Sequence, residues 1–395
     1  MRDDELQVLG VASKRKSHWP WIVVAICVVI IAILSWLLVK KTSAESTLTV
    51  KDEGTTIVPE LQEAVDSVLR GTLKQHSGLH GQVIVMEVKT GAIKAMVGLE
   101  RRYDEQYVPC DNFAYQQELG PTMMTVSLLA AMETDSIGLY SSVDTGDGVW
   151  TVDDEHTMVD NKGGYGETLV GLALCFSSYI GIAKAVLKAF HNDANAYFTQ
   201  LEKMSFGKPD SIEGIVGLRP AAYLTPRDSS WKNYMFPWHT IGYECKIAPI
   251  QMLTFYNAIA NDGVMVKPML KARAPEVINE QIASNANISE MRWVLRKVVE
   301  EGWGKRADTE VVPVAGKTGT SQLNVIWGDE DNEEAVYEYQ LGFCGYFPTE
   351  EPKYSMIVSL NTIWGIHSSG LVAGTAFRQI VEWMCEHGML NEKKQ

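Results

Sequence analysis

Strand-like segments lie near both ends of this chain, and helical segments lie between them. Residues 82–88 and 92–97 are two apolar, β-rich runs joined by a Lys-Thr-Gly turn, which predicts a hairpin. Two further strand-like runs occupy 340–347 and 354–360, whereas apolar residues in 120–305 recur mainly at helical spacing. An antiparallel sheet must then gather its strands from distant parts of the sequence. We therefore predict an α+β fold with helices inserted between the strands.

Amphipathic helices border this region. Pro59 suits a first helical turn, and apolar residues follow it at one-face spacing as far as Leu69. A second such helix closes the chain, with Phe377 and Met384 on one face. We predict one folded domain over residues 58–395.

An uncharged apolar segment, Trp19–Val39, precedes this domain. Its length is about the twenty residues that a membrane-spanning helix needs. A cleavable signal peptide is the alternative, but Lys40 and Lys41 follow where small residues would be required. We predict an internal N-terminal tail (1–18), a single-pass transmembrane anchor (19–39) and a linker (40–57) too short to contain another domain.

Charge and cysteine usage exclude several classes of function. The formal net charge of -14 argues against nucleic-acid binding, which needs a basic face. The six cysteines are scattered without a CxxC pair, so core packing is expected rather than a disulfide framework. The sequence shows neither zinc-ligand spacing nor a P-loop, and we expect no cofactor.

One short motif carries candidate chemistry. The β-branched run Val311–Val314 predicts a strand that continues into Lys317-Thr318-Gly319-Thr320. On such a strand the lysine can hold an anionic group, the hydroxyls can donate hydrogen bonds, and glycine lets a ligand approach the backbone. A lysine on an edge strand beside a glycine kink explains the motif equally well.

Several segments resemble, in order, the transpeptidase domain of penicillin-binding proteins. Besides Lys317–Thr320, they include the hairpin at 81–100 and the strand end Gly345–Pro348, and helical-lobe and pre-strand matches occur at Asp144–Gly146, Asp160, Phe206–Gly207, Ile241–Tyr243, Ala260–Gly263 and Lys267–Pro268. The resemblance covers about residues 60–388. It implies a penicillin-binding/β-lactamase-like transpeptidase fold, an antiparallel sheet flanked by helices with an inserted helical lobe. It also implies a location at the bacterial cytoplasmic (inner) membrane, with the main domain periplasmic or extracellular.

The resemblance implies a mechanism with three motifs. A serine three residues before a lysine opens a helix and attacks a D-alanyl-D-alanine peptide, and a Ser-x-Asn and a Lys-Thr-Gly motif complete the site. The acyl group then passes to a neighbouring stem, or a β-lactam acylates the serine.

This chain departs from the family at the first two motifs. Pro121 stands at the nucleophile position and Met124 at the lysine position, and Tyr179 replaces the asparagine in Ser177-Ser178-Tyr179. Pro121 has neither a hydroxyl nor the backbone N–H that the family uses in its oxyanion hole. Because removal of a nucleophile alone costs a factor on the order of a million in rate, we predict no catalytic residue at these positions.

Other nucleophiles fit poorly. Thr122 is adjacent to the missing serine, but one residue turns a helical side chain by about 100°, and Thr125 rather than lysine stands three residues later. Ser205–Lys208 spells Ser-x-x-Lys, yet its glycine and Pro209 make a poor helix start. Ser13–Lys16 lies in the predicted internal tail.

Two functions follow from the resemblance. The first is a membrane-anchored, catalytically inactive protein of cell-wall (peptidoglycan) synthesis or division. It would bind peptidoglycan stem peptides, or a β-lactam weakly and non-covalently, through Ser177, Lys317, Thr318, Gly319 and Thr320, or bind proteins of the wall-synthesis or division machinery. The alternative is an active D,D-transpeptidase or carboxypeptidase, or a β-lactam sensor, acylated through a non-standard nucleophile.

Two regions have open interpretations. The acidic run at 328–334 can be a solvated loop, a segment that repels anionic ligands, or a contact surface for a basic partner. Trp231, Trp238 and His239 form an aromatic cluster that belongs either to the core or to an interaction patch.

Overall fold

A computed structural model describes residues 54–160, 162–327, 336–363 and 368–390. The helices are α1 (Pro59–Gln75), α2 (Met123–Met132), α3 (Val170–Cys175), α4 (Tyr179–Ala189), α5 (Ala194–Lys203), α6 (Met235–Thr240), α7 (Pro249–Ala260), α8 (Asn285–Glu300) and α9 (Thr375–Glu386), with 3₁₀ turns at Gly120–Thr122 and Lys305–Ala307 and a π-helical turn at Gly370–Gly374. The strands are β1 (Gly78–Glu87), β2 (Ile93–Arg101), β3 (Tyr107–Pro109), β4 (Gln117–Glu118), β5 (Ser142–Asp144), β6 (Val149–Thr151), β7 (Thr157–Val159), β8 (Glu167–Leu169), β9 (Ala222–Tyr223), β10 (Cys245–Ile247), β11 (Met265–Val266), β12 (Val277–Asn279), β13 (Ala315–Trp327), β14 (Val336–Phe347) and β15 (Tyr354–Thr362).

The main sheet has six strands in the order β13-β14-β15-β1-β2-β3. Its pairings are antiparallel, and β1 lies between β15 and β2. The predicted hairpin is confirmed as β1 and β2, with Gly91 at a φ of +76° in the connecting turn. The strands predicted near the C-terminus are confirmed as β14 and β15, and the α+β prediction holds.

Both faces of the sheet are covered. Val83 and Val85 point to the side where α1 and α9 pack, whereas Ile84 and Met86 point into the core shared with the helical lobe. All four side chains are fully buried, and each contributes roughly 1.5–3 kcal/mol by burial. This two-sided burial explains why β1 is a continuous apolar run rather than an alternating one.

Helix α2 is the buried centre of the helical lobe. All ten of its residues are buried, so its sequence has no polar face and its apolar pattern predicts burial on every side. The Tyr256 hydroxyl of α7 donates a hydrogen bond to the Thr122 carbonyl (2.9 Å) and lies 2.8 Å from the Thr125 hydroxyl. These bonds fix the start of α2 beside the sheet.

The aromatic cluster belongs to the core. His239 is fully buried, its Nδ1 lies 3.1 Å from the Tyr197 hydroxyl, and burial lowers its pKa to about 3. Trp231 and Trp238 are partly buried and pack against the same core. These contacts decide between the two interpretations of the cluster.

The N-terminal predictions are mostly outside the described residues. The tail, the anchor Trp19–Val39 and the first part of the linker lie there, as does the acidic run at 328–334. Across the described ranges, the helices fall short of the length and apolarity that a membrane crossing requires. The end of the predicted linker contacts the fold, because the Thr56 amide donates to the Leu270 carbonyl (2.9 Å).

Candidate functional site

Lys317 lies on the edge strand β13, and its side chain is fully buried. Its Nζ donates hydrogen bonds to Ser177 Oγ (2.5 Å) and to the Thr318 carbonyl (3.0 Å). Burial lowers the Lys317 pKa to about 7. The amine is therefore close to half-protonated at neutral pH. We call Ser177 together with Lys317–Thr320 the Lys317 site.

Ser177 lies in the short connection between α3 and α4, in the left-handed region with φ of +52°. Such a conformation costs a non-glycine residue about 1–3 kcal/mol. The next residue, Ser178, caps α4: its Oγ accepts from the Gly181 amide (2.9 Å) and donates to Asp160 Oδ2 (2.5 Å). Asp160 Oδ1 also accepts from the Tyr179 amide (2.6 Å). This buried network holds the connection in the conformation that brings Ser177 to Lys317.

The turn that carries the degenerate first motif packs directly against β13. A Cβ on Gly319 would lie 2.4 Å from the Leu119 carbonyl oxygen and 2.8 Å from Thr122 Cγ2. Glycine is thus required at position 319 for close approach of the strand to the turn. The structure brings the segments that match the three family motifs together, although they are far apart in sequence.

Pro121 and Met124 are both buried, Met124 completely. Pro121 occupies the 3₁₀ turn that leads into α2, where a missing N–H costs little. Thr122 is only 2% exposed, and its Oγ1 donates to the Leu119 carbonyl (2.9 Å). The hydroxyl adjacent to the missing serine is therefore engaged by the backbone of its own turn.

The second Ser-x-x-Lys sequence lies elsewhere. Ser205 is in the turn after α5, where its Oγ accepts from Asn279 Nδ2 (3.0 Å), and Lys208 forms an ion pair with Asp210. Ser205 and Lys208 do not open a helix, in agreement with the poor helix start predicted from Gly207 and Pro209.

Ser369 is a member of the site that sequence reasoning missed. Its Oγ lies 2.6 Å from Thr320 Oγ1 and donates to the Gly319 carbonyl (2.6 Å). Ser369 is 49 residues from Thr320 in sequence, and no motif points to it. The contact depends on where the π-helical turn before α9 begins.

Two phenols connect the helical lobe to β13. Tyr179, at the start of α4, lies beside Tyr243, whose phenol is close to Gln322 of β13. The two rings meet edge to face with centroids 6.4 Å apart. Burial raises the Tyr243 pKa, so the phenol stays protonated. The replacement of asparagine by Tyr179 thus places an aromatic bridge next to Ser177.

Comparisons with known proteins agree with this geometry. The family model of the penicillin binding protein transpeptidase domain matches residues 81–382. The chain is 27% identical over 319 residues to the probable peptidoglycan D,D-transpeptidase PbpC of Pseudomonas aeruginosa, covering 77% of this chain and 53% of that protein. It is 23% identical to stage V sporulation protein D of Bacillus subtilis, covering 79% of this chain and 50% of that protein. The chain therefore spans about half the length of these curated relatives.

The fold is similar to the transpeptidase domain of penicillin-binding protein 3 from Burkholderia pseudomallei, with a TM-score of 0.73 and 22% identity, covering 88% of this chain and 99% of that one. The family model extends over more than half of the residues. The chain belongs to the penicillin-binding protein transpeptidase domain family.

Proposed function

We propose that this protein is a catalytically inactive member of the family that binds peptidoglycan stem peptides at the Lys317 site. The observation that carries this proposal is the buried Lys317 amine beside Ser177, combined with proline and methionine at positions 121 and 124. The site keeps an amine that can be protonated when a C-terminal carboxylate binds, but it has lost the family's nucleophile and base. Thr318 and Thr320 add hydroxyl groups on the same strand.

Equilibrium titration of the detergent-solubilised full chain tests this proposal. The ligand is a stem pentapeptide ending in D-alanyl-D-alanine, and the same peptide with an amidated C-terminus is its matched control. Loss of a charge-assisted hydrogen bond costs about 1.5–3 kcal/mol, so the amide and the Lys317→Ala variant should each bind roughly 10–100-fold more weakly. Release of D-alanine, or equal affinity for both peptides, would contradict the proposal.

We also propose that the protein is anchored in the bacterial cytoplasmic membrane through Trp19–Val39 and assists wall synthesis or division by binding proteins of that machinery. The apolar segment and the family membership support this location. Protease treatment of intact spheroplasts should digest the main domain and spare the N-terminal tail. Digestion only after lysis would show the reverse orientation.

The second candidate is an active peptidoglycan D,D-transpeptidase or carboxypeptidase with a non-standard nucleophile, which a β-lactam would acylate. The 2.5 Å contact between Lys317 Nζ and Ser177 Oγ favours it. Turnover of the pentapeptide that disappears in Ser177→Ala would establish this activity.

A further inference from the structure

We propose that Ser177 and Lys317 form a nucleophile–base pair that accepts an acyl or phosphonyl group from small activated electrophiles and forms an ester on Ser177. A stoichiometric adduct of this kind is separate from the non-covalent binding proposed above and requires no turnover.

The geometry satisfies the main requirement for an activated serine. Such a serine needs a base within hydrogen-bond reach, and Lys317 Nζ lies 2.5 Å from Ser177 Oγ. The amine is fully buried and also contacts the Thr318 carbonyl at 3.0 Å. In its neutral form it can donate to that carbonyl and accept the serine proton through its lone pair. Burial, which holds the Lys317 pKa near 7, keeps much of the amine neutral at physiological pH.

Neighbouring candidates are less suited to the role. Ser178 is 1% exposed, and its hydroxyl is held by Asp160 and the Gly181 amide. Burial raises the pKa of the Cys175 thiol to about 11, so it remains protonated at neutral pH. Ser177 is partly exposed, and the hydrogen bonds of Ser178 and Asp160 described above hold its backbone in place. These contacts single out Ser177 as the hydroxyl that can react.

The step balances without a further reactant. The Ser177 hydroxyl transfers its proton to neutral Lys317 as Oγ attacks the carbonyl carbon, or the phosphorus of a fluorophosphonate. The bond between that carbon or phosphorus and its leaving group then breaks, and the Lys317 ammonium returns the proton to the departing nitrogen, oxygen or fluoride. The products are a Ser177 ester, a protonated leaving group and a neutral lysine.

The lost oxyanion donor limits the range of electrophiles. Pro121 has no N–H to offer where the family has one, and removal of a single donor costs roughly 100–1,000-fold in rate. Ordinary peptide bonds should therefore react too slowly to detect. Strained amides, activated esters and fluorophosphonates carry enough intrinsic reactivity to compensate.

The test uses the detergent-solubilised full chain, a fluorophosphonate probe, intact-mass measurement and peptide mapping. We expect one adduct per chain on Ser177, abolished in Ser177→Ala and retained in Ser205→Ala, the serine of the other Ser-x-x-Lys sequence. The rate of labelling should rise about tenfold from pH 6 to pH 8, because the Lys317 pKa is about 7. Lys317→Met should lose the adduct.

Three results would each overturn the proposed nucleophile–base pair. They are the absence of an adduct on folded wild-type protein at pH 8, an adduct on a residue other than Ser177, and equal labelling of folded Lys317→Met. If Lys317→Met fails to fold, the wild-type pH profile decides, since a rate that stays flat from pH 6 to pH 8 excludes Lys317 as the base. Pentapeptide titration of the wild-type chain, which requires no reaction at Ser177, separates this outcome from failure of the binding proposal.

Discussion

Replacement of Lys317 by methionine should stabilise the fold at low pH, although the lysine makes three hydrogen bonds. Burial lowers the Lys317 pKa from 10.5 to about 7. Each pKa unit is equivalent to about 1.4 kcal/mol, so burial of the charged form costs about 5 kcal/mol below pH 7. The loss of the three hydrogen bonds offsets about 1 kcal/mol each, so a net gain of about 2 kcal/mol remains at low pH.

The sign of the pH dependence follows from proton binding. Between the folded pKa of about 7 and the unfolded value near 10.5, the unfolded chain binds the extra proton, so wild-type stability rises with pH in this window. The penalty is complete below pH 7 and disappears above about pH 10.5. The advantage of Lys317→Met should therefore shrink by about 2–3 kcal/mol from pH 6 to pH 9.

Urea unfolding of wild type and Lys317→Met at pH 6 and pH 9, followed by tryptophan fluorescence, measures this difference. Lys232→Met is the control, because Lys232 is exposed in the loop before α6 and its replacement should change the free energy of unfolding little at either pH. A Lys317→Met variant that is less stable than wild type at pH 6, or whose advantage is independent of pH, would refute the account of the buried charge.

Three further substitutions test the contacts around the site. Gly319→Ala should lower the free energy of unfolding by about 1–3 kcal/mol, because its Cβ would lie 2.4 Å from a backbone oxygen. Its control, Gly71→Ala in α1, has open space around the new Cβ and should raise the free energy of unfolding by about 0.5–1 kcal/mol. Urea unfolding measures both, and equal effects would mean that close packing at Gly319 does not matter. Tyr179→Asn should cost about 0.5–1.5 kcal/mol through loss of the ring pair with Tyr243, and the rate of fluorophosphonate labelling should increase; an unchanged rate would mean that the phenol does not limit access. Asp160→Ala should leave the cap of α4 unsupported, lowering both the thermal midpoint and the rate of labelling, and a normal rate would exclude Asp160 as a positioning residue.

Local patterns predict much of this fold. The hairpin of β1 and β2, the strands β14 and β15 and the helix that begins at Pro59 all follow from periodicity and turn residues. Helix α2 shows the limit of periodicity, because complete burial removes the polar face that marks most helices.

Local sequence patterns predict less of the candidate site than of the fold. Ser177 and Lys317 are 140 residues apart, so only the resemblance to the family indicated that they meet. Neither the contacts of Ser369 nor the ring contact between Tyr179 and Tyr243 follows from a sequence spacing, because each depends on how separate elements pack together. The pKa of Lys317 was likewise not predictable, because it reflects burial by side chains from several segments.

The position of the turn Gly120–Thr122 on β13 has a consequence for solubility. β13 is an outer strand of the sheet, and unpaired outer strands recruit strands from other molecules and promote aggregation. Here the turn lies against Gly319 and Thr320, and Ser321 Oγ donates to the Glu118 carbonyl (2.6 Å). The contacts between this turn and β13 therefore cover the edge of the sheet. Substitutions that separate the turn from β13 should expose that edge and make the protein prone to self-association.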